Sequence, residues 1–599
     1  MMRVADYIAK FIFEELKVKH VFMVTGAGIM HLTDGVASHT KLQAICPHHE
    51  QTSSMAIDAY SRATENFGVG FFTSGPGGTN AITGLCGAWQ DSVPCLFISG
   101  QVKTKETTNN AKIPGLRQFG VQELDMIPIV KHACKYATTL TEPNKVRYEF
   151  EKAAHIAKSG RPGPVWIQIP MDVQSSIINE TKLDRFKPDY VIPTASDDEV
   201  NKIIKLLKKS KRPVIIAGQG IRISGAISLL EKFTSKFKIP VVTPFLGIDV
   251  IKNNLLQYVG KTGVKGDRPA NFAMQNSDLI IAIGTSLHVT VIGYTYKHFA
   301  REAKKIVIDI DKKSHKKKTI DIDSFILSDA KKFFEKIVKF TRNENLNDYV
   351  EWIKQCNEWK KKYPVCLPKY KQNKRELNSY LLVDTLCKHS KKNDIFVSDA
   401  GGTYYATCQA IQLTKPGQRY IPSGAMATMG YSLPAAIGIS VATNKGRVIA
   451  LTGDGSFQQN LQELQTVIEY DLPIKLFVLN NDGYESIRVS QKNYFNNRLI
   501  GESNQSGVSF PDTLKIAKAY GIKAVRIRNY QELEKKLDGI LNFDKAVIID
   551  VIIPRGQPII PTVSSVVNPD GTMSSRPLED MAPFLDREEY KNNLYIDEA

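Results

Sequence analysis

Two short segments in the last third of the chain carry the sharpest chemistry. Gly453-Asp454-Gly455 closes the apolar run Arg447-Val448-Ile449-Ala450-Leu451-Thr452, and Asn480-Asn481 closes Ile474-Lys475-Leu476-Phe477-Val478-Leu479 about 26 residues later. Glycines at a strand end let the backbone approach a phosphate closely, and a following helix N-terminus adds free N–H donors and a favourable dipole. Asp454 and Asn481 offer the hard oxygen ligands that Mg²⁺ takes when it also binds phosphate oxygens. A Gly-Asp-Gly alone also occurs as a plain turn. Paired with Asn-Asn at the end of the next strand, it predicts a diphosphate and metal site.

Other segments are chemically weaker alone. His48-His49-Glu50-Gln51 follows an expected strand, Leu42 to Ile45, and opens a helical run through Met55, Ala56 and Ala59. A glutamate there is by default a partner of the helix dipole. Ser423 to Tyr431 precedes a helix of small residues, Leu433-Pro434-Ala435-Ala436-Ile437-Gly438, and a methionine such as Met429 is by default core filler. Gly26-Ala27-Gly28, the loop Thr73-Ser74-Gly75-Pro76-Gly77-Gly78-Thr79-Asn80 and Gln122-Glu123 complete the set.

The elements that must position these residues read as three consecutive doubly wound α/β domains with parallel sheets. Buried strands are expected at Val21–Val24, Val69–Thr73, Cys95–Ile98 and Val165–Ile169, then at Arg212–Ala217, Leu279–Ile283 and Ile306–Asp311, then at Asp394–Val397 and the two runs above. Such apolar runs spaced by amphipathic helices imply parallel sheets. Domains are expected at 1–182, 190–340 and 375–560, with a C-terminal tail at 561–599 lacking strand periodicity and lying over another surface.

The 599 residues suffice for three or four domains, and 42% hydrophobic with 23% charged residues is a globular composition. No run of eighteen apolar residues appears, which argues against a membrane span. The N-terminus runs straight into an amphipathic pattern without a secretory h-region, and the eight cysteines form no Cys-x-x-Cys pair. A reduced, cytoplasmic protein is expected. The net charge of +18 is spread thinly except at Lys312, Lys313, Lys316, Lys317 and Lys318. Without interleaved aromatics that run reads as a solvated helix face rather than a nucleic-acid patch.

Over nearly its whole length the chain resembles the thiamine-diphosphate (ThDP) enzyme superfamily, and particularly the acetolactate synthase family, in the order pyrimidine-binding, middle and diphosphate-binding domain. The resemblance implies that Asp454, Asn481 and the Gly483 carbonyl bind Mg²⁺, and that Gly401, Gly402, Thr403, Gly453, Gly455 and Ser456 line the diphosphate. Ser74 and Asn80 would lie near the pyrimidine. Met429 would be the wedge under the V-shaped cofactor, and the Ala427 carbonyl the partner of its 4′-amino group. The catalytic set would be Glu50, Gln122 and Gly26, with Glu50 hydrogen-bonded to the aminopyrimidine N1′, a role that needs a carboxylate away from bulk water. Because the glutamate and the metal site serving one cofactor come from different subunits in this superfamily, a homodimer is implied as the minimum, and a homotetramer is compatible.

The family's acceptor-selecting residues are replaced. Its tryptophan falls at Ser490, a methionine at Ser486, a lysine at Met171 and a phenylalanine at Val121. The expected reaction is decarboxylation of a 2-oxo acid such as pyruvate, with transfer of the two-carbon unit to a carbonyl acceptor. A keto-sugar acceptor and a simple 2-oxo-acid decarboxylase are the alternatives; a non-enzymatic or nucleic-acid-binding protein is disfavoured. FAD stays open. Ala217-Gly218-Gln219-Gly220 with Gly225, and Asp309 and Asp311, suit a nucleotide, but such a loop is weak evidence and Gly284 to Thr290 lacks the family's arginine.

Overall fold

Runs of β-branched residues between amphipathic helices bury both faces only as parallel strands covered on both sides, and the chain does this three times. The computed structural model describes residues 1–344, 346–567 and 573–598. The first sheet runs, in spatial order, Gln43–Ile45, His20–Met23, Gly68–Phe72, Cys95–Gln101, Val165–Pro170 and Tyr136–Thr139, all parallel. The second runs Tyr258–Lys261, Val241–Thr243, Pro213–Ala217, Leu279–Ile283, Lys304–Asp309 and Ser324–Leu327. The third runs Arg419–Pro422, Ile395–Ser398, Val448–Gly453, Ile474–Asn480, Val547–Ile552 and Lys523–Ile527.

Counted along the chain, the first and third sheets share the strand order 2-1-3-4-6-5, whereas the middle sheet is 3-2-1-4-5-6. In each, the chain reverses its direction of travel beside the first strand, opening a crevice beyond the strands' carboxyl ends where ligands of doubly wound sheets bind. In the first sheet that point lies between His20–Met23 and Gly68–Phe72, and in the third between Ile395–Ser398 and Val448–Gly453.

Two local expectations are corrected. The lysine run forms one 3-10 turn, Lys312–His315, not a helix face, and Lys317 turns back to donate to the carbonyls of Ser286 and Leu287. The tail carries short strand pairs, Thr562–Val563 with Met581–Ala582 and Ser565–Val567 with Met573–Ser575. It does lie over another surface, the middle domain: Asn271 donates to the Leu578 carbonyl at 2.9 Å, and Arg301 pairs with Glu579 at 2.8 Å.

The first and third sheets are joined by two helices in close contact, Glu50–Thr64 and Ser432–Ala442. A β-carbon on Gly438 would lie 2.2 Å from the Ala56 carbonyl oxygen, so only glycine lets the backbones approach this closely. Around them Tyr431 donates to Asp58, Arg62 bridges Asp58 and Asp91, and Asp91 accepts from the backbone of Gly424 and Ala425. Where all three domains meet, a cavity of about 200 Å³ is rimmed by Arg222 and Arg419, which share Asp249. Buried Lys261 donates to the carbonyls of Gln409 and Ile411, tying the middle domain to the third.

Replacing a mid-helix glycine by alanine ordinarily gains up to about 1 kcal/mol, but overpacking costs about 1–3 kcal/mol. Gly438→Ala is therefore expected to lower the apparent melting temperature in a thermal scan; an unchanged or raised value would contradict this contact.

Candidate functional site

The candidate residues gather at two poles, each at a switch point of one sheet. At the first, Thr73 closes off strand Gly68–Phe72 and donor Gly28 N reaches its Oγ1 at 3.1 Å. Gly26 and Gly28 are forced by this packing: β-carbons there would lie 2.5 Å from Thr73 Oγ1 and 2.6 Å from Ser74 Oγ. Glu50 starts its helix behind His49, whose ring nitrogen caps the Gln51 N–H at 3.0 Å. The Glu50 side chain is buried, 9% exposed, and Asn80 Nδ2 donates to its Oε2 at 3.0 Å. Gly77 lies alongside, where a β-carbon would be 3.5 Å from Glu50 Oε1. Gln122 holds a left-handed φ of +60°, and its carbonyl would meet a β-carbon on Gly75 at 2.8 Å. Gly26, Glu50, Ser74, Asn80 and Gln122 are thus brought to one cluster of loops. The loop carrying Gln122 is pinned by Glu123, which accepts from the N–H groups of Thr108, Phe119 and Gly120. These donors outweigh burial and hold its carboxyl below the usual range.

The second pole is built around Asp454. Its Oδ1 accepts from Gly455 N at 2.8 Å, and its Oδ2 from Asn481 N and Gly483 N, both at 3.2 Å. Burial pushes its carboxyl up to about 6 against the pull of those donors. Asn480 is used structurally, donating to Asp550 and accepting from Asp482 N. Gly483 adopts φ +153°, and a β-carbon on Gly455 would lie 2.1 Å from the Tyr484 ring. Gly401 takes φ +59° at the start of helix Gly401–Ala410. A β-carbon on Gly402 would meet nothing within 4 Å, and one on Gly453 only Thr403 Oγ1 at 3.6 Å. Open space therefore lies before a helix N-terminus, beside a carboxylate. Ser456 is buried in the short helix Asp454–Phe457. The loops are joined by Asp399, which accepts from Ala400 N and Thr452 Oγ1 and whose carboxyl burial pushes up to about 6.

Between the poles, segment 423–430 is held by Asp91 from one domain and by Ser423 Oγ, which accepts from Thr428 N at 2.7 Å. Ala427 sits at φ +47°, a conformation that costs an L-residue about 1–3 kcal/mol. Met429 is half-buried, not core filler. Asn460 accepts from Thr52 and donates to the Gly430 carbonyl, linking this segment to the Glu50 helix.

Ser486 and Ser490 lie on helix Glu485–Tyr494, which buries none of its residues. Ser486 Oγ comes within 3.3 Å of a β-carbon placed on Gly401. Val121, 82% exposed, and Met171, at the start of helix Met171–Ser175, are on the other pole's domain. Absent from the expected set are Asp399, Glu485, Arg488 and Glu502. Arg488 donates to Glu485 and to Glu502, each at 2.7 Å.

At the middle domain's switch point the glycines are already required by packing: a β-carbon on Gly218 would lie 2.1 Å from the Gly284 oxygen, and one on Gly220 2.7 Å from Gly284 Cα. Asp311 is paired with Arg161 and Ser314, and Asp309 accepts from Asp311 N. None of these residues needs a flavin to account for it.

Residues 2–127, 200–337 and 399–551 match, in turn, the families described as thiamine pyrophosphate enzyme N-terminal TPP binding domain, central domain and C-terminal TPP binding domain. The acetolactate synthase large subunit of Cyanidium caldarium is 31% identical over 92% of this chain and 93% of its own. The probable acetolactate synthase large subunit of Methanococcus aeolicus is 32% identical over 95% and 96%, and the Lactococcus lactis acetolactate synthase large subunit 30% identical over 93% and 94%. With all three domains matched in order and the candidate residues gathered at two switch points, the chain belongs to the thiamine pyrophosphate enzymes and, among them, to the acetolactate synthase family.

Proposed function

We propose that this chain is a ThDP- and Mg²⁺-dependent carboligase that decarboxylates a 2-oxo acid and transfers the remaining two-carbon unit to a carbonyl acceptor. The observation that carries the reading is the buried Asp454 carboxylate beside open, glycine-lined backbone at a helix N-terminus. An oxygen-only donor set of Asp454, the Asn481 side chain and the Gly483 carbonyl suits Mg²⁺. The N–H groups at Gly401, Gly402 and Thr403, with Gly453, Gly455 and Ser456, would hold the diphosphate. When bound, ThDP would supply an acidic thiazolium carbon as nucleophile and a cationic ring as electron sink for decarboxylation.

The chain's own groups do the rest. Glu50, kept from bulk water and oriented by Asn80, holds a proton at the aminopyrimidine ring. The Ala427 carbonyl, on a left-handed backbone, would accept from the amino group, and Met429 would pack against the cofactor. Gln122 and Gly26 flank the reacting carbonyl. General acid–base catalysis is typically worth about 10²–10⁴-fold, so Glu50→Gln is expected to lose at least about 100-fold in kcat while ThDP affinity by fluorescence titration stays near wild type. Undiminished turnover would refute this role.

A homodimer is proposed as the working unit. Apolar side chains stand exposed near both poles, Phe119 and Val121 on one and Ile487, Val489 and Phe495 on the other, as surfaces awaiting a second copy do. Among the described residues no helix is long and apolar enough to cross a membrane, and the eight cysteines are free, as suits the reduced, cytoplasmic setting proposed for it.

Ser486, whose Oγ lies beside Gly401, and Ser490, one turn along the same helix, are smaller than the side chains the family has there, which favours an acceptor bulkier than pyruvate, a keto-sugar among them. Incubation with carbon-13 pyruvate, ThDP, Mg²⁺ and a panel of acceptors, read by mass spectrometry, is expected to place the label on a ketone or keto-sugar. Labelled acetolactate from pyruvate alone at comparable rate would contradict the enlarged acceptor site, and free acetaldehyde as the sole product would make the protein a decarboxylase.

A further inference from the structure

The loop that follows Asn481 contains a charged relay that the reaction above does not use. Asn481 Nδ2 lies 3.4 Å from Glu485 Oε2, which also accepts from Arg488 Nη1 at 2.7 Å. Arg488 in turn donates through Nε to Glu502 Oε2 at 2.7 Å and through Nη2 to the Asp482 carbonyl at 3.0 Å. Glu502 is itself fixed, accepting from Ser503 Oγ at its other oxygen, while its backbone carbonyl takes the Tyr484 N–H at 2.8 Å. The three side chains are withdrawn from water, with exposures of 11%, 15% and 2% for Glu485, Arg488 and Glu502. Glu485 Oε1 is fully buried and has no hydrogen-bond partner among the described residues.

An ionised carboxylate only accepts hydrogen bonds. Whatever faces Glu485 Oε2 must therefore be the NH₂ end of the Asn481 amide, which leaves Asn481 Oδ1 as the end free for a cation. We propose that Glu485 is a positioning residue for the metal ligand: it sets the orientation of the Asn481 amide, and Arg488 and Glu502 hold Glu485 in place. Its charge also adds to that of Asp454, so that the relay, Glu485⁻ Arg488⁺ Glu502⁻, leaves the site anionic and matched to a divalent cation. Partners of metal ligands typically change metal affinity by about 10–100-fold when removed.

This inference rests on the metal reading of Asp454 and Asn481, and its test separates the two. Mn²⁺ binding to the full-length protein with ThDP is followed by electron paramagnetic resonance for wild type, Glu485→Ala and Glu485→Gln, with thermal unfolding of each metal-free protein. Glu485→Ala is expected to weaken Mn²⁺ binding by about 10–100-fold with an unfolding midpoint close to wild type. Glu485→Gln, whose carbonyl oxygen can still accept from Asn481, is expected to recover part of that loss. Wild-type affinity in Glu485→Ala would overturn the role of Glu485 and leave the metal reading standing, as would equal loss in both variants accompanied by a matching drop in the unfolding midpoint. A wild-type protein that bound no Mn²⁺ would overturn the metal reading and this inference together.

Discussion

A carboxylate held out of water without a cationic side chain against it is costly, and Asp454 is placed in that position. It forms no salt bridge among the described residues; its in-chain partners are three backbone N–H groups, supplied by Gly455, Asn481 and Gly483. Those donors can converge only because two neighbouring strands, Val448–Gly453 and Ile474–Asn480, end side by side in register, Gly453 opposite Leu479. The glycines then follow: Gly455 leaves room for the Tyr484 ring and Gly483 takes a backbone turn that side chains resist. A bound cation would satisfy the remaining charge, so the turn, the sheet register and the proposed metal chemistry are consequences of one constraint.

A second constraint is the packing of the first domain on the third within one chain. Glu50 and Asp454 are on domains of like topology, locked by the Gly438–Ala56 approach and by the Arg62–Asp91–Gly424 relay. Buried ion pairs of this kind are weak evidence for stability but cost several kcal/mol when one partner is removed. They serve here to fix segment 423–430, and with it Ala427 and Met429, relative to the Glu50 helix. The middle domain contributes clamps, Lys261 and the Asp249 pair, and no residue of the two poles.

Much of this was legible in the residues. Apolar runs such as Val448 to Thr452 and Cys95 to Ile98 are central strands because parallel strands buried on both faces have no polar alternation to hide them. Two edge strands escaped notice for the converse reason: Tyr136–Thr139 and Lys523–Ile527 are largely half-buried and mixed in composition. Asp454 and Asn481 stood out because glycine and strand ends mark them locally. Glu485, Arg488 and Glu502 did not, because charged residues outside any motif read as solvated surface until the fold brings segment 501–506 against helix Glu485–Tyr494. Asp399, in a plain strand-end sequence, shows its part only through its bond to Thr452, 53 residues away. The lysine run misled in the opposite sense, helical in charge spacing yet only one 3-10 turn.

The most direct measurement is calorimetric titration of ThDP into wild-type protein and Asp454→Asn, each with and without Mg²⁺. Wild type should bind ThDP tightly only with the cation, and Asp454→Asn, which keeps the size of the side chain but loses its charge, should lose at least about tenfold in affinity and its dependence on Mg²⁺. Equal, Mg²⁺-dependent binding by both proteins would contradict the claim that the site is organised around this carboxylate.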